Sequence, residues 1–205
     1  MKYIISERQY RLLTEDEEQK VWDIPNVEIF GGWEGLQVVL RAKNNPFFRI
    51  KNDLELNELN IESLGKLVSV DGELHIKNSS ISDFGELRNV GKHLRLYAVE
   101  NLTSLGKLKK VGGKVIIRSN VPDLVDLGDL EEVGDDFAMR ALNVSSLGKL
   151  KYIGEDLNID DTNVSDLRDL GYVGGFITLR GTPLSKTTTE KEVRTQTNCR
   201  HQIYL

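Results

Sequence analysis

Cysteine is nearly absent from these 205 residues. Cys199 stands alone, so neither an internal disulfide nor a Cys-x-x-Cys metal or redox site can form. Histidine is almost as scarce: His75, His93 and His201 lie far apart, and no His-Glu-x-x-His, Gly-x-Ser-x-Gly or phosphate-loop motif occurs. Enzymes need a constellation of such groups, so the expectation is a non-enzymatic protein without cofactor or metal. No apolar run approaches the roughly 18 residues of a membrane span. A basic excess is missing too: 27 Lys and Arg against 32 Asp and Glu leave a formal charge of -5, which gives no global call for nucleic acid or an anionic membrane. Residues Met1 to Ser6 hold one short apolar patch and no small-residue cleavage site, so no secretory signal is expected and the chain reads as cytoplasmic.

What the chain does have is internal repetition. Leu64-Gly65-Lys66-Leu67, Phe84-Gly85-Glu86-Leu87, Leu105-Gly106-Lys107-Leu108, Leu127-Gly128-Asp129-Leu130, Leu147-Gly148-Lys149-Leu150 and Leu167-Arg168-Asp169-Leu170 recur about every 20–22 residues. Each leads to a single Val or Ile, at Val70, Val90, Val111, Val133, Ile153 and Val173, and then to glycine. An apolar-x-apolar pair follows: Leu74/Ile76, Leu94/Leu96, Val115/Ile117, Phe137/Met139, Leu157/Ile159 and Ile177/Leu179, with Leu54/Leu56 ahead of them. A period of two makes each pair a short strand with two side chains inward and one outward. The glycine before the pair is expected to supply a positive-φ turn into that strand. The Leu-Gly-x-Leu-x-x-Val stretch would furnish the inward residues of the opposite wall. One such unit cannot bury its own apolar edge, whereas stacked units can. Asn60, Ser80, Asn101, Asp123, Asn143, Asn163 and Pro183 form a polar column, read as hydrogen-bonded turn residues.

The repeat resembles the short leucine-rich repeats of bacterial and tailed-phage proteins, which read L-x-L-x-x-T-x-I-x-S-L-G-x-L-x-x-V-G-G. The match is strongest at Leu157 to Leu167 and at Leu179 to Ser185, and it covers roughly residues 47–185. The receptor L domain is a sister possibility. The resemblance implies an interaction scaffold and carries over no catalytic residue. The opening Met1 to Tyr10 and the ending Ile203-Tyr204-Leu205 are similar to short phage reading frames, which points to a phage protein acting in the host cytoplasm.

The expected architecture is therefore a β-rich, α+β right-handed solenoid of leucine-rich-repeat-like coils over 47–185. A helical N-terminal cap occupies 1–46 and a helix–strand C-terminal cap 186–205. In the first cap, Lys2–Ile5 reads as a strand and Ser6 to about Lys20 as a helix opened by a capping box. A second helix is expected from about Trp33 to Ala42, with Leu36, Val39 and Leu40 on its apolar side. At the other end, Thr188 to about Gln196 has helical composition, and Ile203 and Leu205 repeat the strand pair.

Function is sought on the outward face of the sheet. One outward column reads Asn57, Lys77, Tyr97, Arg118, Arg140, Asp160, Arg180; the other reads Glu55, His75, Arg95, Ile116, Ala138, Asn158, Thr178. Lys77, Arg95, Arg118, Arg140 and Arg180, beside Tyr97 and His75, make a basic face on an acidic protein. Neighbouring like charges cost a few tenths of a kcal/mol or more each, which an acidic partner would relieve; local acids such as Glu55 and Asp160 would relieve it as well. Arg and Tyr are the residue types enriched in binding hot spots. A protein partner with an acidic surface is the first expectation. Nucleic acid is weaker, because the net charge is negative and Tyr97 is the face's only aromatic in these columns. A virion structural role is a third reading. Asp135-Asp136, Glu155-Asp156 and Asp160-Asp161 read as solvated turns rather than metal sites.

Overall fold

Two parallel sheets wrap one continuous core in the computed structural model, which describes residues 21–118, 120–140 and 143–205. The first sheet stacks Trp22–Ile24, Phe48–Ile50, Leu67–Val70, Asn89–Val90, Lys110–Val111, Glu132–Val133, Tyr152–Ile153 and Tyr172–Val173 in that order. The second stacks Leu54–Asn57, Leu74–Asp83, Leu94–Glu100, Val115–Ile117, Phe137–Met139, Leu157–Asn158, Ile177–Thr178 and Ile203–Tyr204, with Asn60–Ser63 also pairing on Leu74–Asp83. The chain is thus a β-solenoid of about six parallel-strand coils. The wall opposite the apolar-pair strands is itself a hydrogen-bonded sheet, built where each Leu-Gly-x-Leu-x-x-Val stretch ends.

The core follows the repeat. Leu74, Ile76, Leu94, Leu96, Val115, Phe137, Leu157, Ile159, Ile177 and Leu179 are fully buried, and so are Leu64, Leu67, Leu105, Leu108, Leu147 and Leu150 from the facing stretches. Each coil stacks on the last in register, as in Leu74↔Leu94, Val115↔Leu94 and Val115↔Phe137. At the corners, buried Thr162 and Thr182 donate their hydroxyls to the carbonyls of Ile159 and Leu179. The polar turn column is partly bonded as well: the Asn101 amide donates to Ser80 Oγ at 2.6 Å and the Asn143 amide to the Pro122 carbonyl at 3.3 Å.

The glycines divide differently from the sequence expectation. Those preceding the strand pair do not take positive φ. Instead a β-carbon on Gly91, Gly112, Gly134, Gly154 or Gly174 would come within 1.8–2.2 Å of a carbonyl oxygen in the coil below. Close backbone approach, not turn handedness, demands glycine there. The glycines of the Leu-Gly step, Gly65, Gly85, Gly106, Gly128 and Gly148, are the ones in the repeat column that are left-handed, with φ from 57° to 61°. Arg168 occupies the same place in the last coil at φ 45°.

Two columns beside these glycines alternate with a period of two coils. One reads Ser63, Asp83, Ser104, Asp126, Ser146, Asp166, and the other Lys66, Glu86, Lys107, Asp129, Lys149, Asp169. Stacked strands are about 4.8 Å apart, so six carboxylates in one column would repel one another. Alternation removes the conflict. Ser63 donates to Asp83 at 2.7 Å and Ser104 to Asp126 at 2.8 Å. Lys107 pairs with Glu86 and Lys149 with Asp129, each at 2.6 Å. The Lys107 and Lys149 ammonium groups, by hydrogen bonding, hold the Glu86 and Asp129 carboxyls below the usual range.

The ends are only partly as expected. The helix Trp33–Ala42 forms and buries Trp33, Leu36 and Leu40, with the Trp33 ring 6.2 Å from that of Phe48. The expected Lys2–Ile5 strand and Ser6–Lys20 helix fall outside the described residues. At the C-terminus a helix spans Glu190–Thr197 and opens with a capping box between Thr189 and Glu192. Ile203–Tyr204 then adds a last strand beside Ile177–Thr178. Leu205 departs from the expected inward pair: the strand ends at Tyr204 and Leu205 is 40% exposed. Cys199 is buried, and its thiol donates to the Gly175 carbonyl at 3.2 Å.

Candidate functional site

Register alone assembles the outward face of the second sheet. Glu55, His75, Arg95, Ile116, Ala138, Asn158, Thr178 and Tyr204 are successive register partners in one unbroken row. Because inward and outward residues alternate, the buried pairs force this row outward. Asn57, Lys77 and Tyr97 pair in a second row. Arg118, Arg140 and Arg180 follow their strands in the equivalent place and are exposed.

The geometry separates the expected cations into two kinds. Lys77 forms an ion pair with Glu55 at 2.5 Å, and that hydrogen bond holds the Glu55 carboxyl below the usual range. Arg95 reaches Glu73 at 3.2 Å. Arg140 approaches Asp161 at 3.6 Å with both side chains about 60% exposed, a contact worth little, about 0–1 kcal/mol. Arg118 and Arg180 differ: no described carboxylate lies within 4.0 Å of either guanidinium. Each covers an aromatic ring instead, Arg118 over Tyr97 at 5.5 Å and Arg180 over Tyr204 at 4.7 Å. His75 meets the other side of this group, its ring edge-on to Tyr97 at 5.3 Å.

Lys77, His75, Arg95, Tyr97 and Arg118 therefore form one contiguous cluster, while Arg180 stands apart near the C-terminal end with Tyr204. Tyr204 was not among the expected binding residues. Its signal was present, since an inward Ile203 at the head of a strand pair turns its successor outward.

Asp160 is the clearest correction. It was expected on the outward face as a neutralising acid, yet it is 6% exposed and accepts the Arg180 backbone N–H at 2.9 Å. Its neighbour Asp161 is the acid that reaches the face. His93 also has a structural role, its Nδ1 accepting from the Lys114 N–H at 2.9 Å in the next coil. Asp136 and Asp156 do the same for the N–H groups of Asp156 and Phe176. Burial pushes the Asp136 carboxyl up, but the Lys114 ammonium and the Asp156 N–H outweigh it and leave it below the usual range. Among the described residues no three potential metal ligands converge, and no helix is long and apolar enough to cross a membrane.

Compared with known protein families, with curated proteins and with solved structures, the chain matches none. The face must therefore be read from its own chemistry. It offers two exposed guanidinium groups preset over tyrosines, a half-buried uncharged row of Ala138, Asn158 and Thr178 beside the span between them, and neighbouring cations paired within the protein. Such a surface can accept carboxylates.

Proposed function

We propose that this protein is a non-enzymatic interaction scaffold that binds an acidic protein partner through the outward face of its second sheet. In this reading the coils are of the leucine-rich-repeat kind and wind right-handed, the terminal helices and last strand act as caps, and the partner is met in the cytoplasm, the host's for a phage-encoded chain. One observation carries the proposal: Arg118 and Arg180 are exposed on this face over aromatic rings, with no described carboxylate within 4.0 Å. An exposed guanidinium held over a ring loses less freedom on binding than a mobile one, which favours a carboxylate ligand.

The test is an anisotropy titration with a fluorescent acidic peptide and, separately, a single-stranded oligonucleotide of equal charge. The wild type should bind the peptide, the Arg118→Glu/Arg180→Glu variant should not, and circular dichroism should show both equally folded. Equal peptide binding by the two proteins refutes the assignment of the face. Tight, steeply salt-dependent binding of the oligonucleotide alone moves the function to nucleic acid.

A further inference from the structure

The two unmatched arginines stand at a fixed separation, and that separation selects among acidic ligands. Arg118 follows the strand Val115–Ile117, and Arg180 follows Ile177–Thr178. Two strands, Phe137–Met139 and Leu157–Asn158, lie between them, each paired in register with its neighbours. Three strand steps of about 4.8 Å put the two coils about 14 Å apart. Tyr97 and Tyr204, the rings beneath the two guanidinium groups, lie on the strands outside that span, five steps or about 24 Å apart, so the charges stand between these limits. An extended chain advances about 3.4 Å per residue, so about four to seven residues span the two.

The intervening surface favours a neutral span. Ala138, Asn158 and Thr178 form its floor, half-buried and uncharged. Arg140 and Asp161, 3.6 Å apart and both largely exposed, lie beside it and bring opposite charges that offset each other. A ligand with contiguous carboxylates would gain from Arg140 and lose against Asp161, whereas one with a neutral middle meets neither.

We infer that the face recognises an extended protein segment lying across the strands, with two acidic residues about four to seven positions apart and uncharged residues between them. This rests on the acidic-partner reading above and narrows it to a spacing. Arg118 over Tyr97 and Arg180 over Tyr204 are the two anchor points. Arg140, matched by Asp161, is not a third.

The experiment uses the full chain and three peptides of identical Ser, Thr and Glu composition, with two Glu residues adjacent, five apart or twelve apart. The five-apart peptide should bind about tenfold tighter than the others, the effect of engaging a second charge-assisted contact. Arg180→Gln should bring all three to the same affinity without changing the fold, and Arg140→Gln should preserve the ranking. Equal binding of all three peptides to the wild type overturns the spacing while leaving the acidic-partner reading standing. Binding of none overturns both.

Discussion

Replacing Gly154 with alanine should be among the most damaging single-methyl changes this protein can suffer. The added β-carbon would lie 1.8 Å from the Gly134 carbonyl oxygen in the coil below, whereas ordinary contact begins at 3.4 Å. The two coils must therefore part by about 1.6 Å, a third of the strand spacing. They are held together by Gly154 N–H to the Val133 carbonyl at 2.9 Å and Glu155 N–H to the Asp135 carbonyl at 3.1 Å. Losing those bonds costs about 1 kcal/mol each, and overpacking adds about 1–3 kcal/mol. The sum, about 3–5 kcal/mol, is a large part of an ordinary stability of about 5–15 kcal/mol. For a chain of this size it lowers the melting temperature by about 10 °C. Urea unfolding followed by circular dichroism supplies the measurement, with two controls in the same molecule. At Gly148 the nearest atom is 3.8 Å away but φ is 60°, so alanine there costs only the left-handed penalty of about 1–2 kcal/mol. At Gly171 the nearest atom is 3.9 Å away and φ is not positive, so alanine is neutral or slightly stabilising. A Gly154→Ala protein as stable as Gly171→Ala would refute the close-approach argument for the whole column.

Two further predictions concern strain and charge. Ala98 sits at φ 49°, so Ala98→Gly should relieve about 1 kcal/mol of left-handed strain against a smaller entropic cost, raising stability by about 0.5 kcal/mol; a lower urea midpoint contradicts this. Lysine hydrogen bonds hold the Glu86, Asp129 and Glu131 carboxyls below their usual values, so their stabilisation is complete above the unfolded-state value and is lost as pH falls through the lower folded one. The melting temperature should therefore be flat near neutral pH and drop below about pH 4.5, less steeply in Lys149→Met/Lys151→Met. An identical acid drop in that variant argues against these pairs.

The coil was legible because burial leaves a periodic trace. The pair Phe137/Met139 and the lone Val133 need only be apolar at the right interval, and they face the core as the spacing predicts. The two glycine columns were harder. A glycine required for positive φ, such as Gly128, and one required by a carbonyl in the next coil, such as Gly134, look identical as letters. Only the stacked backbones distinguish them. The opposite wall posed a similar limit, since Glu132–Val133 is too short for periodicity to mark it as strand; its pairing with Lys110–Val111 and Tyr152–Ile153 makes it one. On the face, position was legible but electrostatics was not. Asp160 and Asp161 are adjacent, and the chain's turn there buries the first and presents the second. The two-coil alternation of Ser with Asp and Lys with acid was visible in the letters all along, but it emerges only when coils are compared in alternate pairs.

That alternation makes coil number a quantity that changes in twos. Excising residues 105–126 would set Glu86 beside Asp129 and Ser104 beside Ser146, replacing attraction with repulsion in one column and removing the carboxylate acceptor from the other. Excising 105–146 would instead leave Ser104 and Lys149 between Asp83 with Glu86 and Asp166 with Asp169, and both columns would still alternate. The natural cassette for shortening, lengthening or recombining this protein is a double coil, and grafts cut at single-coil boundaries should inherit a charge fault at the seam.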